Sequence, residues 1–172
     1  RAVDQATIAA GTPGTTLMQR SGDGVAEALE RRWGSTLALR VLVLAGPGNN
    51  GGDGFVAARA LAARGARVAV AVCAPQVRSA DATHMLDVLD GTGVLVRITA
   101  DEATLAALAA TLDHWDFAID ALLGTGAKGE PHGVIAAACR LLNTLRERGT
   151  RVVAVDLPTG VSSDDGRVSG HA

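Results

Sequence analysis

Five short runs, Leu39–Ala45, Arg67–Cys73, Val94–Ile98, Asp116–Asp120 and Arg151–Val155, are rich in Val, Ile, Leu and Ala and do not alternate apolar with polar residues. A strand covered on one face alternates; a strand covered on both faces reads as a continuous apolar run. Helical patterns separate the runs, at about 53–64, 79–90, 101–112 and 133–148. Ser79 or Asp81 is placed to cap the second of these, and Gly149 to end the last. Strands alternating with helices of about 10–15 residues define βαβ units, whose right-handed crossovers make the sheet parallel. Two more helical segments precede the first strand, near 2–10 and 15–33, with Gly11-Thr12-Pro13-Gly14 as the break.

The pattern predicts a single α/β domain over residues 1–172: a Rossmann-like three-layer α/β/α arrangement with a mainly parallel sheet and extra N-terminal helices. Aromatic residues are only 2% and Tyr is absent, so the core must be aliphatic. The formal net charge is −2 and no helix carries a basic stripe, so no nucleic-acid partner is expected. The longest apolar runs fall far short of the ~18–20 residues of a membrane span, and the opening residues lack the apolar stretch of a secretory signal. Cys73 and Cys139 have no CxxC neighbour and are expected as buried free thiols. A reducing, cytoplasmic location follows from that expectation.

With the strand order 3-2-1-4-5, ligands would bind beyond the carboxyl ends of the strands, between strands 1 and 4. The unusual residues fall there. After strand 1 comes GPGNNGGDG, Gly46 to Gly54, whose glycines are expected to take positive φ and approach a ligand closely. Asn49, Asn50 and Asp53 add donors and acceptors, and Asp53 is at least as readily a helix N-cap. After strand 4 comes DALLGTGAKGE, Asp120 to Glu130, in which Gly124, Gly126 and Gly129 repeat the G-x-G-x-x-G spacing. Lys128 in that loop either pairs with a phosphate or is simply solvated. After strand 5 comes DLPTG, Asp156 to Gly160, which otherwise reads as a strand-to-turn exit. The exits of strands 2 and 3, Ala74-Pro75-Gln76 and Thr99-Ala100, carry little chemistry.

Several readings are disfavoured. A dinucleotide fold for hydride transfer needs an acid about 20 residues after the glycines. The stretch Val72-Cys73-Ala74-Pro75 has none. No GK[ST] follows a glycine loop, and no G-x-S-x-G occurs. The histidines are scattered, with no zinc-type spacing. His132, beside the second glycine loop, is the one of interest, and a surface role suits it equally.

At these residues the chain resembles the NAD(P)H-hydrate epimerase family, the YjeF N-terminal domain. The matching stretches are VLVLAGPGNNGGDGFVAARALAARG, DFAIDALLGTGAKGE and RVVAVDLPTGVSSDDG, with VDQATIAAGTPGTTLMQRSG similar to the family's opening helices. The resemblance implies epimerisation of the R and S forms of hydrated NAD(P)H (NADHX and NADPHX), as part of nicotinamide-nucleotide repair. It implies substrate binding by Asn49, Asn50, Gly51, Gly52 and Asp53, by the loop Gly124, Thr125, Gly126, Ala127, Lys128, Gly129 and Glu130, and by Asp156. It implies a potassium ion (K+) held by Asn50, Asp120 and Thr159, the last usually Ser in the family. It also implies a homodimer through the N-terminal helices, where Gln19 replaces an acid often found in the family.

Family domains continue with further strands beyond the position of Ala172, so a domain truncated at its C-terminus is expected, with a dehydratase domain fused beyond it in many bacterial members. Asp156 is the candidate general acid–base, a structural acid bonded to loop N–H groups being the alternative. The runner-up function is a non-catalytic nucleotide-binding or protein-interaction scaffold of the same fold.

Overall fold

The computed structural model describes residues 9, 11–111 and 114–170. The helix expected near 2–10 lies outside them, apart from Ala9. The described chain runs α1 (Gly14–Trp33), β1 (Arg40–Ala45), α2 (Asn49–Ala63), β2 (Arg67–Val72), α3 (Ala80–Asp87), β3 (Leu95–Ile98), α4 (Glu102–Ala109), β4 (Phe117–Ala121), α5 (Gly133–Glu147) and β5 (Arg151–Ala154).

The five strands form one sheet in the order β3-β2-β1-β4-β5, with every pairing parallel. The continuous apolar runs are explained by two covered faces. Along β1, Val41, Val43 and Ala45 join a core built with α1, α2 and α3. Leu42 and Leu44 join the opposite core, built with α4 and α5. All five of these side chains are fully buried. The layers are therefore helix, sheet, helix, and the sequence order β2–β1–β4 reverses direction at β1, which opens a crevice beyond the carboxyl ends of β1 and β4.

Two local expectations fail for the same reason. The helix expected from residue 53 begins at Asn49, with Gly48 as its N-cap. Asp53 is thus one turn inside α2 and does not cap it. None of Gly46, Gly48, Gly51, Gly52 and Gly54 takes a positive φ. Close packing accounts for most of these glycines instead: a Cβ on Gly46 would overlap the Leu122 carbonyl, and one on Gly51 the Gly46 carbonyl. One on Gly52 would overlap Met18, and one on Gly54 would come within 2.5 Å of Ala121 Cβ. The glycine run lets α2 start hard against the β1 and β4 exits.

The remaining caps behave as local chemistry requires. Ser79 caps α3, its hydroxyl accepting from Ala82 N–H at 3.4 Å. Asp101 caps α4 in a reciprocal box with Thr104. Gly149, just past α5, has φ 93°, a backbone state open to glycine at little cost.

Candidate active site

The crevice is assembled by tight contact between strand exits. Gly46 N–H donates to Ala121 O at 3.0 Å, joining the ends of β1 and β4. Beyond that joint lies a cleft of about 700 Å³, within the range of small-molecule sites. Its wall includes Asn49, Asn50 and Asp53 from α2, Gly124–Ala127 from the loop after β4, and Asp156 from the loop after β5.

Gly124 is the meeting point. A Cβ there would lie 2.8 Å from Asp156 Oδ2 and 3.5 Å from Asn50 Cγ. Both functional side chains therefore crowd the face of Gly124 on which a Cβ would stand, and a side chain at 124 would collide with the Asp156 carboxyl. Asp156 is exposed, and its Oδ2 accepts from Thr125 N–H at 2.8 Å. That bond fixes the carboxyl against the second glycine loop.

Asn50 carries an unusual feature. Both its Oδ1 and Nδ2 are buried without a hydrogen-bond partner. A buried, unpaired polar group costs about 1–3 kcal/mol, so such a group points to a ligand that completes it.

Asp120 and Thr159 lie behind this wall and not on it; both line a smaller hollow of about 240 Å³ against α5. Both are buried. Thr159 Oγ1 donates to Asp120 Oδ1 at 2.7 Å, and Thr159 N–H donates to Asp120 Oδ2 at 2.7 Å. Leu122 N–H donates to Asp120 Oδ1 at 3.1 Å. Thr159 Oγ1 also accepts from Leu123 N–H at 3.1 Å, so one residue separates this cluster from Gly124. Burial pushes the Asp120 carboxyl above the usual carboxylate range, against the lowering effect of these three bonds.

The other residues of the two glycine motifs separate. Gly51 and Gly52 are buried within α2 and are absent from the crevice wall. Lys128, Gly129 and Glu130 line an adjoining hollow of about 480 Å³, together with the segment from Leu157 to Ser169. Gly129 alone of the second trio has a positive φ, 83°. His132 is exposed, precedes α5 and lies off the crevice.

Two wall residues escaped sequence reading. Ser21 comes from α1, and Arg78 from the stretch after β2. Ala74, Pro75 and Gln76, the β2 exit expected to carry little chemistry, do not line the wall; Arg78, two residues further on, does, and its backbone N–H donates to Pro47 O at 2.8 Å. Its position three residues past the Pro75 turn gave no motif; only the fold brings it to the glycine loop.

A doubly wound parallel α/β domain, with acid-bearing loops closing on a cleft at its switch point, defines the class: a three-layer α/β/α domain of Rossmann-like architecture. Within that class the chain belongs to the family described as YjeF-related protein N-terminus, which matches residues 14–172. It is similar to the NAD(P)H-hydrate epimerase of Pirellula staleyi, 38% identical over 96% of this chain and 71% of that protein. It is also similar to the bifunctional NAD(P)H-hydrate repair enzyme Nnr of Moorella thermoacetica, 38% identical over 92% of this chain. The chain spans only 30% of that relative's length. Among solved structures, yeast ynu0 superposes with a TM-score of 0.74 at 28% identity, covering 93% of this chain and 67% of that one.

Proposed function

We propose that the chain epimerises hydrated NADH and NADPH, interconverting their R and S forms as an isomerase of nucleotide repair. The observation that carries this reading is the convergence of Asp156 and Asn50 on the same face of Gly124, in a crevice at the switch point of the sheet. The 38% identity to the Pirellula staleyi protein bearing that name supports it.

The chemistry needs little machinery. The hydrated carbon bears both the ring nitrogen and a hydroxyl. Asp156 in its acid form protonates the hydroxyl, and the nitrogen lone pair expels water. Water adds to the other face of the resulting iminium carbon and returns its proton to Asp156. Such positioned acid–base work contributes roughly 10²–10⁴-fold. The Thr125 N–H holds the carboxyl in place through the cycle.

Asn50, Asp120 and Thr159 offer oxygen donors alone, which suits a hard cation such as K+. The partnerless buried amide of Asn50 is the feature of this chain that fits such an ion. When bound, K+ would supply positive charge beside the substrate. On the same reading the chain pairs as a homodimer, and it works alongside a dehydratase activity like that named in its bifunctional relatives.

Asp156→Asn tests the assignment. The amide keeps the size and the Thr125 contact but cannot cycle a proton. Epimerisation of the R hydrate, followed by chiral chromatography, is expected to fall by at least about 10²-fold. A variant that turns over at the wild-type rate would exclude Asp156 as the acid–base.

A further inference from the structure

The proposed chemistry occupies the β4 and β5 side of the crevice and leaves Arg78, on the β2 side, without a task. Arg78 is exposed and lines the same wall. Its loop is tied down by the bond from its N–H to Pro47 O. Among the described residues its guanidinium pairs with no carboxylate. The other charged side chains on the wall, Asp53 and Asp156, are both acids. Among the described residues, Arg78 is the wall's one cationic side chain for a phosphate-bearing ligand.

The strand order sets the scale. Arg78 is bonded to Pro47 at the β1 exit and Asp156 follows β5, two interstrand spacings away, about 10 Å at ~4.8 Å each. A ligand bridging Asp156 and Arg78 must carry its reacting group at one end and an anion well removed from it. That description fits a nicotinamide ring joined through ribose to phosphate. The N-terminus of α2, at Asn49, opens on the wall between them and favours the same charge.

We propose that Arg78 holds a phosphate group of the nucleotide. The proposal rests on the epimerase reading and deepens it by assigning the anion end of the substrate. The guanidinium presents a planar fork of donors matched to phosphate oxygens, which a lysine reproduces only as a point charge. Two phosphates of the substrate meet this chemistry: the pyrophosphate common to NADHX and NADPHX, and the 2′-phosphate found only in NADPHX.

Arg78→Ala and Arg78→Lys decide the matter, read by steady-state kinetics on both hydrates and by calorimetric binding of NAD+ and NADP+. The side chain is exposed, so both variants are expected to melt with the wild type. Arg78→Ala is expected to raise KM and Kd about tenfold or more with kcat nearly unchanged, the loss of one charge-assisted hydrogen bond. Arg78→Lys should recover part of the loss. Equal weakening for both nucleotides assigns the pyrophosphate; weakening confined to NADPHX and NADP+ assigns the 2′-phosphate.

Wild-type KM and Kd in Arg78→Ala, for every ligand, would overturn the proposal. A wild-type chain that binds both nucleotides yet epimerises neither hydrate overturns the epimerase reading instead, and the Kd comparison still judges Arg78. Should the wild type bind neither nucleotide, both fall.

Discussion

Cys73 and Cys139 are the two thiols of the chain, and both are buried free cysteines in the core between the sheet and the α4–α5 layer. Desolvation pushes each thiol up to about 12. Only the thiolate attacks a disulfide reagent, so at mildly alkaline pH neither group has an appreciable nucleophilic form. The native chain is therefore expected to show no fast-reacting thiol toward a chromogenic disulfide, and two once denatured. A fast-reacting native thiol would show that the α5 layer opens more readily than its packing implies. Burial of these cysteines was legible because each sits in an apolar pattern. The state of Asn50 was not: its sequence neighbours are glycines and polar residues, and only the approach of the loop after β4 removes its amide from water.

At the scale of elements, glycine position decides what α1 can do. Gly22 and Gly24 lie two residues apart in α1 and face opposite environments. A Cβ on Gly22 would overlap Val56 and sit 2.6 Å from the Asp53 carbonyl, so this glycine sets how closely α1 approaches α2. Nothing lies within 4 Å of the corresponding position on Gly24. The same substitution should then have opposite signs. Gly22→Ala is expected to destabilise by about 1–3 kcal/mol through overpacking. Gly24→Ala is expected to stabilise by roughly 0.5–1 kcal/mol, because alanine loses less backbone entropy in a helix. Denaturant unfolding of the two variants checks both, and a loss at Gly24 would mean that its helix face is covered.

This is also where sequence reading met its limit. The five strands were readable because aliphatic runs mark them; the order, assumed as the common 3-2-1-4-5, is the one observed, and the crevice follows from it. The start of α2 was not, since a run such as Gly51-Gly52 reads as a loop until tertiary contact shows that no side chain would fit. Arg78 was missed for the complementary reason: its task depends on Pro47, thirty-one positions earlier in the chain.

The proposed ion site couples the α2, β4 and β5 exits, so its occupancy should register in the stability of the whole domain. Burial raises Asp120, so folding shifts its carboxyl toward the protonated form relative to the unfolded chain. A folded-state value above the unfolded one makes the folded chain bind more protons between the two, so the contribution of Asp120 falls as pH rises through that window. A bound cation works in the opposite sense, because it favours the ionised carboxylate. Stabilisation by K+ should accordingly be small in acid and grow as pH rises through the elevated Asp120 value. With K+ at about 100 times its Kd, linkage predicts about 2.7 kcal/mol. At about 2–4 °C per kcal/mol for a domain of this size, that amounts to several degrees in Tm. Choline chloride at equal ionic strength is the reference. Asn50→Ala and Thr159→Val should each abolish most of the K+-dependent increment, whatever they do to the baseline. If both variants keep the wild-type increment, the ion binds elsewhere, and the partnerless amide of Asn50 must be completed by the substrate itself.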